Sequence, residues 1–568
     1  MVDASKPSLR KAVVVGAGPV GCLSAMALAK SGWQVDVFEA RPDMRLSASR
    51  AAAQQRSINL AISSRGIAAL QAIDPAATAR FLETVIPMHG RMIHDIHGKQ
   101  DSQQYDPDRQ CINSIDRALL NEGLLGEALA VPNVHVFFRH KIVSVDFDRR
   151  MMVVHDDVEN KDINVPFHFA SRDGSYSIIR RQLMRVVRMD YQQEYIPHDY
   201  LELKIQPGQG LNGNPFFLLD PNHLHIWPRH SFMLIALPNK DMTFTCTLFA
   251  PTEEFERLDK PDAFLVWFRS YFPDALALIG EDALLDSYTH NPRSSLMTVK
   301  ANPYHYKDRV VILGDAAHSM VPFYGQGLNC GLEDVRVLSI LLQEANVDPA
   351  LLPDSNEDVD ERLAGALSRY SKTRHEDLVA ACDLAMDNYV EMRHLVTTPT
   401  YLMRKTLDNI LFSLNSRQHI TLASIGPLLS RVPFPSRNPS GWIPLYTMVT
   451  FRPDISYATA KKKGCAAISA GDKCGNFGVS GTGGCDRRFD VDGVIPSHEK
   501  PIVKCFEYMI DRGKEVDLTR KTAGSKIRII FPKTTPSPLG TCLSAVIDDH
   551  DSWVSAHEQG WGSDNTPR

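Results

Sequence analysis

The stretch that most constrains the fold is Gly16-Ala17-Gly18-Pro19-Val20-Gly21, because of what stands on either side of it. An apolar run, Ala12–Val15, precedes it and a helical pattern, Cys22–Lys30, follows; a second apolar run, Val35–Phe38, ends in Glu39. Strand, glycine turn, helix, strand and acid is the order of a dinucleotide-binding βαβ unit. Gly16 permits the tight turn, Gly18 lets the backbone approach a pyrophosphate, and Gly21 lets the helix pack close to its strand. The helix start then offers free N–H groups and a positive dipole end to the phosphates. Glu39 follows Gly21 by 18 residues, where a carboxylate accepts bonds from a ribose hydroxyl. The motif does not choose the nucleotide.

A chain of 568 residues is long enough for two or more domains. Its 43% hydrophobic and 23% charged residues are those of an ordinary globular protein. A formal charge of −5 leaves no electrostatic footprint for nucleic acid. Cys22, Cys111, Cys246, Cys330 and Cys382 are scattered, which suits free thiols rather than a disulfide framework. No secretory signal opens the chain, and no run of 18 apolar residues suggests a membrane span.

Further along, Arg56–Ile62 reads as a loop entering a short strand, with Ser63 or Ser64 capping a helix over Gly66–Ala72. Gly90–His94 and Cys111–Ile115 read as two strands joined by a polar turn. Asp116 is placed to cap a helix over Arg117–Ala130, and Val134–Phe138, Ile142–Asp146 and Met151–His155 read as strands. Leu201–Ile205, His223–Trp227, Ser231–Leu237 and Thr243–Phe249 are strand-like runs separated by Gly, Asn and Pro turns, which predicts a mixed sheet. Helices are expected over Glu253–Phe272, Asn329–Glu344, Asp360–Arg369 and Glu376–Val396, and a short buried strand over Val310–Leu313. The proline-bearing segment Pro427–Pro439 reads as a loop. After about Ala460 the chain turns polar and loses periodicity, apart from a strand-like run at Lys526–Phe531.

Two further stretches carry chemistry. Val310–Leu313 runs into Gly314-Asp315, a turn with Pro322, then Gly325-Gln326-Gly327-Leu328-Asn329 at the start of a helix. That is a second helix N-terminus behind a glycine loop, able to face an anion or a polar ring edge. Asp315 directly follows a buried strand and can accept from a ribose hydroxyl. Asp173-Gly174-Ser175-Tyr176-Ser177-Ile178-Ile179-Arg180, taken alone, is an ordinary capped helix start. His318 has no second metal ligand at suitable spacing and reads as structural. Unaided, Arg91 reads as a surface ion-pair residue on a strand, Asn388 as a helix-flank amide and Tyr446 as core.

Together the order GxGxxG, DGxxSxxR and GD…P…GQGxN resembles the single-component (class A) FAD-dependent aromatic hydroxylases. Within them, Arg56–Ala61, Pro87–His94, Tyr195–Leu203, His225–Arg229, Phe244–Phe249 and Pro444–Phe451 resemble the kynurenine 3-monooxygenase family in its fungal form, from about Lys11 to about Ala460. The resemblance implies an α/β fold, α+β overall: a Rossmann-like FAD-binding domain with an interleaved mixed β-sheet substrate domain and C-terminal helices. The FAD-binding part would take residues 1–190 and 290–345, the substrate sheet 191–289, helices closing the substrate pocket 346–460, and a divergent, disordered polar tail 461–568. It implies FAD as cofactor, NADPH as cosubstrate, and hydroxylation of L-kynurenine to 3-hydroxy-L-kynurenine with O2 through a flavin C4a-hydroperoxide. The route is tryptophan degradation towards quinolinate and NAD.

Carried over by position, Val20, Phe38, Glu39, Ala40, Arg41, Ala61, Arg117, Ile142, Asp173, Asp315, Leu328 and Asn329 join Gly16, Gly18 and Gly21 as flavin-binding residues. Arg91 and Tyr105 fall where the family holds the amino-acid carboxylate, and Asn388 and Tyr446 complete the substrate pocket. An arginine clamps a carboxylate in a bidentate pair that lysine does not reproduce. No side-chain nucleophile or base and no metal is expected, and the partners are small molecules rather than nucleic acid. Two alternatives stay open: a class A hydroxylase of another aromatic acid, and an inactive flavin-binding copy.

The chain departs from the family in two places. Phe167–Arg172 is one residue short of the family's strand and turn and carries His168 and Arg172, which predicts a distorted DG segment and weakened flavin binding. The family continues into an apolar segment at the mitochondrial outer membrane, but residues from Lys461 onward are polar. Resemblance therefore implies the outer membrane, and the residues themselves a cytosolic chain.

Overall fold

A computed structural model describes residues 10–47, 59–171, 174–351, 358–413 and 441–464, together with short strands at 417–419, 435–437, 516–519 and 526–529. Arg56 to Ile58, Arg172, Asp173, most of 427–439 and most of the tail lie outside the described residues. The chain divides into two units, residues 1–462 and 463–568. In the second, the strand expected at Lys526–Phe531 is present as Lys526–Ile529, paired antiparallel with Val516–Thr519.

In the first unit the βαβ reading holds. Lys11–Val15 and Gln34–Glu39 are parallel neighbours, with the helix Pro19–Lys30 between them. The sheet runs His305–Tyr306, Val310–Val311, Phe169–Ser171, Lys11–Val15, Gln34–Glu39, Val134–Phe138. The central strands are buried and rich in valine, as a sheet covered on both faces requires. Phe169–Ser171 pairs in register with Lys11–Val15 on one side and Val310–Val311 on the other. His168 does not disturb that strand: it sits just before it, and its Nδ1 accepts the Lys11 N–H at 3.0 Å. The expected distortion is therefore absent as far as Ser171.

A seven-stranded sheet lies beside this layer, in the order Ser294–Asn302, Asp190–Ile205, Phe244–Pro251, Phe232–Pro238, His223–Arg229, Gly90–His94, Gln100–Gln104. Gly90–His94 does not pair with the strand ending at Ile115. It pairs parallel with His223–Arg229 and antiparallel with Gln100–Gln104, a strand too polar to be read from its pattern. Ile112–Ile115 instead joins Leu60–Ile62 and Ile86–Met88 in a separate small sheet. The sheet read for residues 191–289 thus draws strands from both sides of that range.

Other boundaries moved for local reasons. Pro261 and Pro273 each occupy the first turn of a helix, so the single helix expected over Glu253–Phe272 is broken into Thr252–Arg257 and Pro261–Tyr271, followed by Pro273–Ile279 and Glu281–His290. The two helices expected between Asp360 and Val396 are one, Glu361–Arg393, because no proline interrupts it. Asp360 caps it, accepting from the Arg362 and Leu363 N–H groups. Asp116 likewise caps Arg117–Leu129. Among the described residues no helix is long and apolar enough to cross a membrane.

Candidate active site

Gly16 lies at φ +90°, a conformation that glycine adopts without strain, and a side chain there would point into open space. Behind it the helix Pro19–Lys30 begins at Gly18, which has no side chain to occupy the free N–H groups. The Glu39 carboxylate is buried at the end of the neighbouring strand. Its Oε2 accepts the Ala17 N–H at 2.8 Å, and its Oε1 accepts the Arg41 N–H and Nε at 2.9 Å each. Burial alone would raise the carboxyl, but Arg41 and the two N–H groups outweigh it and hold it below its usual value. An ionised acceptor beside an open glycine turn and an uncapped helix start fits the ribose and pyrophosphate of a dinucleotide.

The second glycine loop closes on the first. A Cβ on Gly331 would come within 2.7 Å of Val20 Cγ2 and 3.6 Å of Gly314 Cα, so the helix Gly327–Glu344 approaches both loops at a distance only glycine allows. Asn329 is fully buried. Its Oδ1 accepts the Ser63 N–H at 2.9 Å, and its Nδ2 donates to Ala61 O at 2.9 Å and Gly325 O at 2.6 Å. Ser63 therefore contributes its backbone here, since its hydroxyl makes no capping bond to the helix Ser64–Ile73.

The DG segment meets the same loop. Ser175 Oγ donates to Asp315 Oδ2 at 3.3 Å, Arg180 Nη1 donates to Ala316 O at 2.7 Å, and Ser177 caps the helix carrying Arg180. Below the loop, Asp334 accepts the Gly314 N–H, the His318 Nε2–H and two Arg374 N–H groups. Burial would raise the Asp334 carboxyl, but His318 and Arg374 pull it down to about 2. His318 is thus a structural donor, as expected from sequence.

Arg91 stands on the strand Gly90–His94 and is 4% exposed. Its Nη1 donates to Glu391 Oε1 at 3.1 Å and its Nη2 to Asn388 Oδ1 at 3.4 Å. Its guanidinium lies 5.0 Å from the ring centre of Tyr446 and 5.8 Å from that of Tyr105. Tyr105 and Tyr446 stack at 5.0 Å, and Tyr324 stacks on the other side of Tyr446 at 5.6 Å. Arg91 Nε and the Tyr105 hydroxyl are buried without hydrogen-bond partners among the described residues. Two donors so exposed to desolvation need an acceptor, and a ligand carboxylate supplies one. Burial would lower the Arg91 guanidinium, but Tyr401 and Glu391 hold it well above its usual value, so it stays charged. Met88, Leu224, Ile235, Leu237 and Phe451 form an apolar wall beside these rings.

One segment serves both sites. Asn388 Nδ2 donates to Phe323 O at 2.7 Å, and Tyr324 belongs to the aromatic stack, while Asn329 a few residues on donates to both Gly325 O and Ala61 O.

The structure therefore gathers Gly16, Gly18, Val20, Gly21, Glu39, Arg41, Asp315 and Asn329 around the glycine loops, and Arg91, Tyr105, Asn388 and Tyr446 in one pocket. Phe38 is buried, stacking on Phe137 at 5.1 Å, and Ile142 is buried in the core. Ala40 and Arg117 are exposed, Leu328 is half-buried, and Asp173 lies outside the described residues. Glu391, Tyr324 and Tyr401 were missed. Glu391 is three residues after Asn388 on the same helix, a spacing that could have revealed it. Tyr401 belongs to the helix Pro399–Ser413, which the pattern did not suggest. No cluster among the described residues could hold a metal ion.

Residues 10–352 match the FAD-binding-domain family (FAD_binding_3). The kynurenine 3-monooxygenase of Candida albicans is 48% identical over 449 residues, covering 79% of this chain and 89% of its own length. Those of Cryptococcus neoformans and Saccharomyces cerevisiae are 43% and 40% identical, covering 81% and 79% of this chain and 92% and 91% of their own. Among solved structures, 2-methyl-3-hydroxypyridine-5-carboxylic acid oxygenase shares the fold at a TM-score of 0.51 with 18% identity, covering 70% of this chain and 96% of its own. Pseudomonas aeruginosa PqsL does so at 0.52 with 17% identity, covering 68% and 97%.

Proposed function

The chain belongs to the FAD-dependent kynurenine 3-monooxygenase family, and on that premise we propose which of its residues bind flavin and substrate. It is a flavin monooxygenase that hydroxylates L-kynurenine to 3-hydroxy-L-kynurenine with NADPH and O2. When bound, FAD supplies the redox and oxygen-transfer chemistry. What the chain supplies is binding, orientation and exclusion of water.

Glu39 and the N–H groups at Gly16–Gly21 hold the adenosine and pyrophosphate end. Asp315 and the segment Gly325–Asn329 hold the opposite end of the cofactor. Arg91 and Tyr105 clamp the substrate carboxylate, and Asn388 and Tyr446 complete the pocket. The apolar wall keeps the aniline ring at a fixed height and keeps water away from the reacting carbon. No side chain is assigned as nucleophile or base, because the ring is activated by its own amino group.

The observation that carries this reading is the shared segment, riveted at Asn329 beside the glycine loops and at Phe323 beside Arg91. Arg91→Ala should abolish kynurenine-stimulated NADPH oxidation and 3-hydroxykynurenine formation while retaining bound flavin. Unchanged stimulation would refute the role of Arg91. For location we propose the mitochondrial outer membrane, supported by family membership. Fractionation of cells expressing the full chain tests it, and recovery wholly in the cytosolic fraction would overturn it.

A further inference from the structure

In the pocket that carries Arg91, the cation is already paired. Arg91 Nη1 donates to Glu391 Oε1 at 3.1 Å, and the Tyr401 hydroxyl donates to the same oxygen at 3.2 Å. Both bonds converge on Oε1, which leaves Oε2 for a third donor. Glu391 is also the open member of the pair: its side chain is 33% exposed, against 5% for Arg91. Arg91 Nε and the Tyr105 hydroxyl have no hydrogen-bond partner among the described residues. A fixed cation with a free donor edge beside a fixed anion with a free acceptor oxygen is the electrostatic complement of an α-amino acid, whose carboxylate and ammonium share one carbon.

We propose that Glu391 receives the substrate's α-ammonium on Oε2, so that the pocket selects an α-amino acid over the matching simple carboxylic acid. The proposal rests on the reading of Arg91 as the carboxylate clamp. A carboxylic acid lacking the ammonium would set a second anion beside Glu391 without bringing a cation of its own, and would leave Oε2 without the donor that the ammonium supplies. The zwitterion adds no net charge and satisfies both edges. Tyr401, from the helix Pro399–Ser413, is then a positioning residue, because its bond to Oε1 fixes the Glu391 carboxylate and leaves Oε2 unoccupied by it.

Two probes test it on the FAD-loaded full chain: L-kynurenine, and the analogue in which hydrogen replaces its α-amino group. Dissociation constants are read from the perturbation of the flavin spectrum. The wild-type chain should favour kynurenine on the order of tenfold or more, the scale of a hydrogen bond to a charged group. Glu391→Gln should bring the ratio close to one, weakening kynurenine and sparing or tightening the analogue. Tyr401→Phe, which leaves the carboxylate in place, should lower the ratio part of the way. An unchanged ratio in Glu391→Gln with flavin still bound would overturn the proposal, as would equal affinities in the wild type. Failure of the Arg91 reading looks different: Arg91→Ala would bind both probes as tightly as the wild type.

Discussion

Asn329 makes three hydrogen bonds from one buried amide, and a pair of substitutions there separates holding the fold from shaping the cofactor site. Asn329→Ala removes the acceptor for Ser63 N–H and the donor to Ala61 O and Gly325 O, so three backbone groups lose this partner. A buried group left unpaired costs about 1–3 kcal/mol. The Ala61 and Gly325 carbonyls keep a route to water or flavin at the loop edge, so the lower end applies and the sum is about 3 kcal/mol. For a unit of this size that lowers the melting temperature by roughly 3 °C, since entropy of unfolding grows with length. Asn329→Asp keeps the bond from Ser63 but turns an acceptor towards two carbonyls, so it should destabilise at least as much despite its nearly identical shape. Melts of flavin-free and flavin-loaded protein by circular dichroism and flavin fluorescence give both numbers. Flavin affinity should fall at least tenfold in each variant, because the two segments tied by Asn329 flank the cofactor. A flavin-free melt that drops with flavin affinity unchanged would refute the positioning argument. Unchanged melts would refute the bonds themselves.

Three other outcomes follow from the same geometry. Arg374 makes buried ion pairs with Glu333, Asp334 and Asp377, so Arg374→Met should destabilise by about 3–5 kcal/mol, seen as loss of soluble protein or a lowered urea midpoint. Gly16→Ala meets no steric obstacle but must hold φ near +90°, so flavin affinity should fall more than stability. Burial, then Arg91, brings Lys405 down from 10.5 to about 8. Between those values the folded chain binds fewer protons than the unfolded one, so this residue's contribution to stability rises as pH increases from about 8 to 10.5. Its charge near Arg91 is lost over the same rise, so affinity for the substrate carboxylate should weaken above about pH 8, and Lys405→Met should flatten that dependence.

The nucleotide-binding unit was legible in the residues because its signals are local. Gly16 must turn, Gly18 must leave helix donors bare, and Glu39 must end a strand, and each requirement fixes a residue type at a fixed spacing. Asp116 capped its helix as read, for the same reason. The substrate side was legible only through resemblance. Arg91 is flanked by apolar residues on a strand, a pattern shared with many surface ion pairs, and nothing in its neighbourhood names Glu391, 300 positions away. The strand Gln100–Gln104 that covers Gly90–His94 has no apolar alternation to announce it.

Sequence by itself thus determined where a dinucleotide sits and which segments line its path, because glycine conformations and helix ends are set within a few residues. Tertiary structure decided what the pocket pairs with what. The sheet brings Arg91 forward, the helix Glu361–Arg393 lays Asn388 and Glu391 across it, and the segment from Phe323 to Asn329 joins that pocket to the glycine loops. Those contacts join residues distant in the chain, and only the packing of sheet against helix brings their charges close enough to act on one molecule.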